Sequence, residues 1–175
     1  MSRIPLAAAV VAARATHTAE IDAIVARGTA LGHDADPDVL ALILQVHTEN
    51  PRRRDEGWDR PGFYFFFWAD LFNWCSLAGC EVPEHLPEAL WLWLHHLDAT
   101  GGLGPADEPL HELLKVLLCY GGLGFDGRPL PEGTPRHVAC ECRSPRGRPG
   151  WGDGPAPAGL LGRAAVTAGR SSRPG

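Results

Sequence analysis

The aromatic residues of this chain are concentrated in one short stretch of sequence. Eleven of the fourteen Phe, Tyr and Trp residues fall between Trp58 and Trp93, and six of them are consecutive from Phe63 to Trp68. Aromatic rings carry the largest apolar area of any side chains, so this run is expected at the centre of a buried core.

The aromatic run favours a helix over a strand, although β propensity alone would predict a strand for residues 63–68. Asp70, Asn73 and Ser76 recur every three residues, which places them on one side of a helix that continues to Gly79. We therefore predict an aromatic-rich helix, with a strand over residues 63–68 as the alternative.

Start and stop signals divide the rest of residues 5–121 into helices joined by short connections. Thr18 and Asp36-Pro37 are predicted to open helices, and Asn50-Pro51 is predicted to end one. Further starts are marked by Pro61, Pro87 and Pro109, and further ends by Gly32, Gly79, Gly101-Gly102 and Gly121-Gly122. The pattern predicts an all-α fold, a compact bundle of about five helices packed around the aromatic-rich central helix.

The C-terminal part of the chain differs in composition from the rest. Residues 143–175 contain 13 Gly or Pro among 33, too few large apolar groups to offset the entropy of ordering, so we predict a disordered tail after a helical domain of residues 1–142. Residues 1–125 carry 8 Arg or Lys against 17 Asp or Glu, whereas residues 126–175 carry 8 Arg against 4 acids. An acidic body with a basic tail is expected.

Cysteine usage and hydropathy bear on the compartment. Five cysteines are an odd number and do not indicate a disulfide framework of the secreted type, so reduced thiols and a cytoplasmic location are expected. Asp70 and Asn73 interrupt the aromatic stretch, which is too short for the roughly 20 apolar residues of a membrane span. We therefore expect a soluble protein.

A cysteine and histidine set is the best candidate for a metal site. His137, Cys140 and Cys142 lie close in sequence, and Cys75 and Cys80 are available from the aromatic helix and its exit. Zinc takes four nitrogen or sulfur ligands in a tetrahedron. The spacing differs from that of common zinc motifs, so cysteines acting as small hydrophobic residues, with no cofactor, are the favoured interpretation and zinc is the alternative.

Three other patterns suggest chemistry only faintly. Glu108 and His111 have the spacing of a di-iron ligand pair, but the sequence contains no second such pair. Glu88, Trp91, His95 and Asp98 share one stripe of a predicted helix, which could line a pocket with acid or base partners. Two glycine-rich segments after residues 100 and 120 follow helices rather than strands, which indicates helix ends and not phosphate loops.

No catalytic constellation stands out, so an enzyme is not favoured. The sequence predicts a protein-binding or regulatory module whose partner is another protein. The alternatives are a small zinc metalloprotein and a weak nucleic-acid binder that uses the basic tail; the acidic body disfavours the second, because it repels phosphate.

Overall fold

The computed structural model of this protein describes residues 3–50, 57–132 and 134. The chain divides into two units, Met1–Ser144 and Pro145–Gly175, and every described residue belongs to the first. The predicted tail, the arginine-rich connection at 52–54 and the residues His137, Cys140 and Cys142 lie outside the described residues.

The described part of the chain is helical, which confirms the all-α prediction and shows that the strand alternative for residues 63–68 was wrong. The helices are α1 (Leu6–Ala9), α2 (Val11–Thr16), α3 (Thr18–Leu31), α4 (Pro37–Glu49), α5 (Arg60–Phe65, Phe66–Asp70 and Leu71–Ala78 in continuous succession), α6 (Leu86–Thr100) and α7 (Leu110–Val116 followed by Leu117–Gly121). The five longer helices are those predicted, and the alanine-rich start forms the short α1 and α2.

Most helix ends follow the signals read in the sequence. The carboxylates of Asp36 and Asp59 cap α4 and α5 by accepting the N–H groups of Asp38 (2.8 Å) and Gly62 (2.7 Å). The glycines that follow α3, α5, α6 and α7 adopt the left-handed conformation; they are Gly32, Gly79, Gly101 and Gly122. The prediction for Thr18 was wrong: its hydroxyl donates to the carbonyl of Arg14 (2.7 Å) and does not cap α3.

The aromatic helix α5 contains a π-helical turn, Phe66–Asp70, in which the N–H of Leu71 donates to the carbonyl of Phe66. A π-helical turn accommodates one more residue than an α-helical turn and rotates the following positions around the axis. Phe63, Phe66 and Phe67 are all buried. Trp68, which was expected to be largely buried, lies at the edge of the core and is only partly buried.

The centre of the core is an aromatic cluster that joins three helices and one connection. Trp93 of α6 is fully buried, and its ring centroid lies 5.5 Å from Phe66 of α5, 5.6 Å from Trp58 and 5.1 Å from His47 of α4. Helices α4 and α6 contribute the most buried positions and pack against each other, while α3 and α7 both pack on α6. The aromatic helix α5 therefore forms one wall of the bundle, and α4 and α6 lie at the centre of the bundle.

Within the described ranges, none of the helices has both the length and the apolar character that crossing a membrane requires.

The buried position of Trp93 predicts a large stability loss on truncation. Trp93→Ala should lower the free energy of unfolding by about 3–5 kcal/mol, because the cavity that it leaves is enclosed by other rings. Leu77→Ala is the matched control, since Leu77 is 90% exposed and should change stability by less than about 0.5 kcal/mol. Urea unfolding of both variants measures the difference; equal midpoints would contradict the assignment of Trp93 to the core.

Candidate functional site

The structure brings together two of the five residues predicted as zinc ligands. Cys75 lies in the last turn of α5 and Cys80 follows Gly79, and both are buried with 1% of their surface exposed. Their side chains are hydrogen-bonded to each other. His137, Cys140 and Cys142 lie outside the described residues, so a site that combines all five stays a prediction.

The contact between the two thiols follows from the way in which α5 ends. The N–H of Cys80 donates to the carbonyl of Cys75 (3.0 Å), and the N–H of Gly79 donates to the carbonyl of Ser76 (3.3 Å). These are the two hydrogen bonds of a Schellman motif, for which Gly79 takes a φ of 70°. Such motifs usually bring the residue after the glycine into apolar contact with the last turn of the helix. Cys75 and Cys80 form that contact.

The surroundings of Cys75 favour the protonated form of its thiol. Burial, the neighbouring Cys80 and the hydrogen bond between the side chains raise the pKa of Cys75 from 9.0 to about 12. A helix C-terminus adds partial negative charge, which also opposes a thiolate. Zinc binds thiolates and requires four ligands, whereas no group of three or more His, Cys, Asp and Glu in the described ranges is arranged to hold a metal ion.

An open groove lies directly beside this helix end. The N-terminal segment crosses the exit of α5, where the N–H of Ile4 donates to the carbonyl of Gly79 (3.0 Å) and Ile4 pairs with Cys80 in a parallel bridge. The groove has a volume of about 540 Å³. It is lined by Arg3, Ile4, Pro5 and Leu6 on one side and by Glu81, Val82, Pro83 and Glu84 on the other.

The groove combines apolar surface with free carboxylates. Ile4 is 44% exposed although it is a large hydrophobic residue, and Val82 is half-buried. Glu81 and Glu84 are exposed and form no hydrogen bond or ion pair with another described residue. Arg3 also lines the groove, so two carboxylates face one guanidinium and the lining keeps an excess of negative charge. The arrangement suits a ligand that offers an apolar group together with positive charge.

The sequence pattern did not predict this groove, because the groove is formed by two segments that are distant in the chain. Its two sides are about 80 residues apart in the chain and meet only because Ile4 pairs with Cys80. The one local signal is Pro83 between Glu81 and Glu84, which indicates an extended connection but gives no information about what lies beside it.

Glu108 and His111 do not converge on a common site. Glu108 accepts the backbone N–H of Arg60 (2.9 Å) and pairs with its guanidinium (3.3 Å). His111 is 68% exposed and lies 3.2 Å from Glu112. Glu108 therefore joins the start of α7 to the start of α5, and its carboxylate is occupied by that contact.

The mixed stripe of α6 is placed around the indole of Trp91. His95 lies 3.9 Å from Trp91 between ring centroids, and His33, from the exit of α3, lies 4.7 Å away. The imidazole of His33 was not expected here, because only the packing of α3 on α6 brings it to Trp91.

Comparison of the chain with known protein families, with curated proteins and with solved structures finds no match.

The buried thiols predict slow chemical modification in the native protein. With a pKa near 12 in place of 9.0, the thiolate fraction of Cys75 at neutral pH is lower on the order of a thousandfold. Cys80 is shielded by burial, so iodoacetamide should alkylate both Cys75 and Cys80 far more slowly in native protein than in urea, as read from peptide masses. Rapid alkylation of both residues without denaturant would show that the exit of α5 opens readily.

Proposed function

We propose that this protein is a protein-binding module and that the groove between residues 3–6 and 81–84 receives a short segment of its partner. The segment would carry an apolar side chain next to a lysine or arginine. One observation supports the proposal above the others: apolar side chains and two carboxylates without partners line the same open groove.

The two kinds of contact contribute differently to this binding. An exposed ion pair to Glu81 or Glu84 contributes at most about 1 kcal/mol and mainly orients the segment. Burial of the exposed part of Ile4 and of Val82 contributes roughly 25 cal/mol for each Å² of apolar surface removed from water. A groove of about 540 Å³ holds a few side chains, so we expect a weak and reversible complex.

The acidic character of residues 1–125 fits a basic partner segment and disfavours nucleic acid, because phosphate would be repelled. The weak nucleic-acid alternative rests on tail arginines that lie outside the described residues. The thiols of Cys75 and Cys80 are not joined in a disulfide, which is compatible with a reducing compartment and with the proposed cytoplasmic location.

The groove proposal is tested with peptides selected against the full chain from a random library of peptides of about 12 residues. We expect enriched peptides to place Arg or Lys beside a large apolar residue. Glu81→Lys/Glu84→Lys should weaken their binding at least tenfold by fluorescence anisotropy, because it replaces attraction with repulsion.

The matched control for charge is Asp22→Lys/Glu132→Lys, which makes the same change at exposed positions outside the groove. Ile4→Ser tests the apolar contact while the backbone hydrogen bond to Gly79 is kept. Selected peptides that bind the groove variant and the control variant equally well would refute the proposal.

A zinc protein is the second candidate, and the contact between Cys75 and Cys80 is the observation that favours it. A zinc site predicts about one metal ion per chain after gel filtration and a loss of thermal stability with chelator. We expect neither, because no three or more metal-ligating side chains of the described residues are arranged to hold a metal ion. Near-stoichiometric zinc that is lost in Cys75→Ser/Cys80→Ser and kept in Cys119→Ser would reverse the order of the two candidates.

A further inference from the structure

A small hairpin follows α7 and rests on helix α6. Leu130 donates its N–H to the carbonyl of Gly122 (2.9 Å), Gly124 donates to Arg128 (2.8 Å), and Leu123 pairs with Pro129 in an antiparallel bridge. Leu123 is buried with 1% of its surface exposed and fixes the base of the hairpin in the core. Within the tip, residues 124–128, Gly127 is the one buried residue.

The tip is held by Trp91. The indole Nε1 of Trp91 donates to the carbonyl of Phe125 (3.1 Å), while the Phe125 side chain is 50% exposed. Gly127 adopts a φ of 74° and lies so close that a Cβ there would be 2.8 Å from the indole and 2.9 Å from the His33 ring. One indole therefore carries both the hydrogen bond and the packing contact of the tip.

The ring of His95 lies against the same indole at a tilt of 44°, and its surroundings act on its charge state. Burial lowers the pKa of His95 below its usual value; Arg27 and His33 act in the same direction, and Asp98 opposes them. Glu88 lies two turns earlier on the same face of α6, and Asp126 and Arg128 of the tip are exposed. Burial, the largest of these causes, makes the protonated imidazole costly because the charge loses hydration.

We propose that residues 124–128 form an acid-released strap, closed on Trp91 while His95 is neutral and opened when His95 takes up a proton. In the closed structure Nε2 of His95 is shielded from solvent and has no hydrogen-bond partner. A protonated ring requires water or an acceptor at that nitrogen. In the proposed step water reaches this nitrogen by displacing the tip, which is attached to α6 through the Trp91 hydrogen bond and through the packing of Gly127 on Trp91 and His33.

The direction with pH follows from linkage. In the proposed open state water hydrates His95 and its pKa returns toward the ordinary value, so the open strap binds the proton more tightly than the closed one. Above pH 6.5, the ordinary pKa of histidine, the closed state keeps its full free-energy advantage over the open state. It loses that advantage as the pH falls through 6.5 toward the pKa of His95 in the closed state. The ratio of open to closed strap rises roughly tenfold for each pH unit within that window.

Nuclear Overhauser contacts between the Trp91 indole and the Gly127 α-protons report the closed strap in the full chain. We expect them at about pH 7.5 and expect them to be lost at about pH 5, with a midpoint that coincides with the titration of the His95 ring. Contacts between Trp93 and Phe66, whose ring centroids are 5.5 Å apart, should persist at both pH values. Simultaneous loss of the core contacts, or a midpoint that does not follow His95, would overturn the proposal.

Two variants and one control complete the test. His95→Gln should keep the strap closed at both pH values, whereas Gly127→Ala should open it at both, because its Cβ would clash with Trp91. His85→Gln, at a side chain that is 76% exposed at the start of α6, should behave like the unaltered chain. If His95→Gln does not fold, the coincidence of the two midpoints in the unaltered chain decides. A strap that opens in acid in folded His95→Gln would refute the mechanism.

Discussion

The packing of Trp93 against Phe66, Trp58 and His47 is the interaction on which the rest of the structure depends. It joins α4, α5, α6 and the connection before α5 at one point. Rings in edge-to-face and tilted contact bury much apolar area with little freedom to rearrange. The connection that carries Trp58 is fixed in turn, since the N–H of Glu108 donates to the Trp58 carbonyl (2.7 Å) at the start of α7.

The contact between Cys75 and Cys80 illustrates how helix geometry can imitate a chemical site. The left-handed Gly79 turns the chain so that the residue after it returns to the last turn of α5. Any two small apolar residues at these positions would meet in the same way. The same turn sets the direction of residues 81–84, so the helix end that pairs the thiols also forms one side of the groove.

The groove and the strap lie on different parts of the bundle and depend on different forces. The groove presents surface that the fold leaves uncovered, so its proposed role rests on apolar contact and on the charge of two glutamates. The strap covers surface around Trp91. Its proposed response to pH depends on the free-energy cost of charging the shielded His95 imidazole beside Trp91. Failure of one proposal leaves the other unaffected.

The sequence by itself determined the helical class and most helix ends, because these depend on local chemistry. Asp36-Pro37 and Gly79 define helix ends through the hydrogen bonds of a few neighbouring residues. It did not place Trp68 or Thr18 correctly. Trp68 lies within the π-helical turn of α5 at the edge of the core, and the hydroxyl of Thr18 has the carbonyl of Arg14 within reach. Tertiary structure alone decided three features: the groove, the contacts of His33 and His95 with Trp91, and the position of the hairpin tip on that indole. Each joins residues that are far apart in the chain, and their meeting depends on which helices pack together rather than on any local pattern.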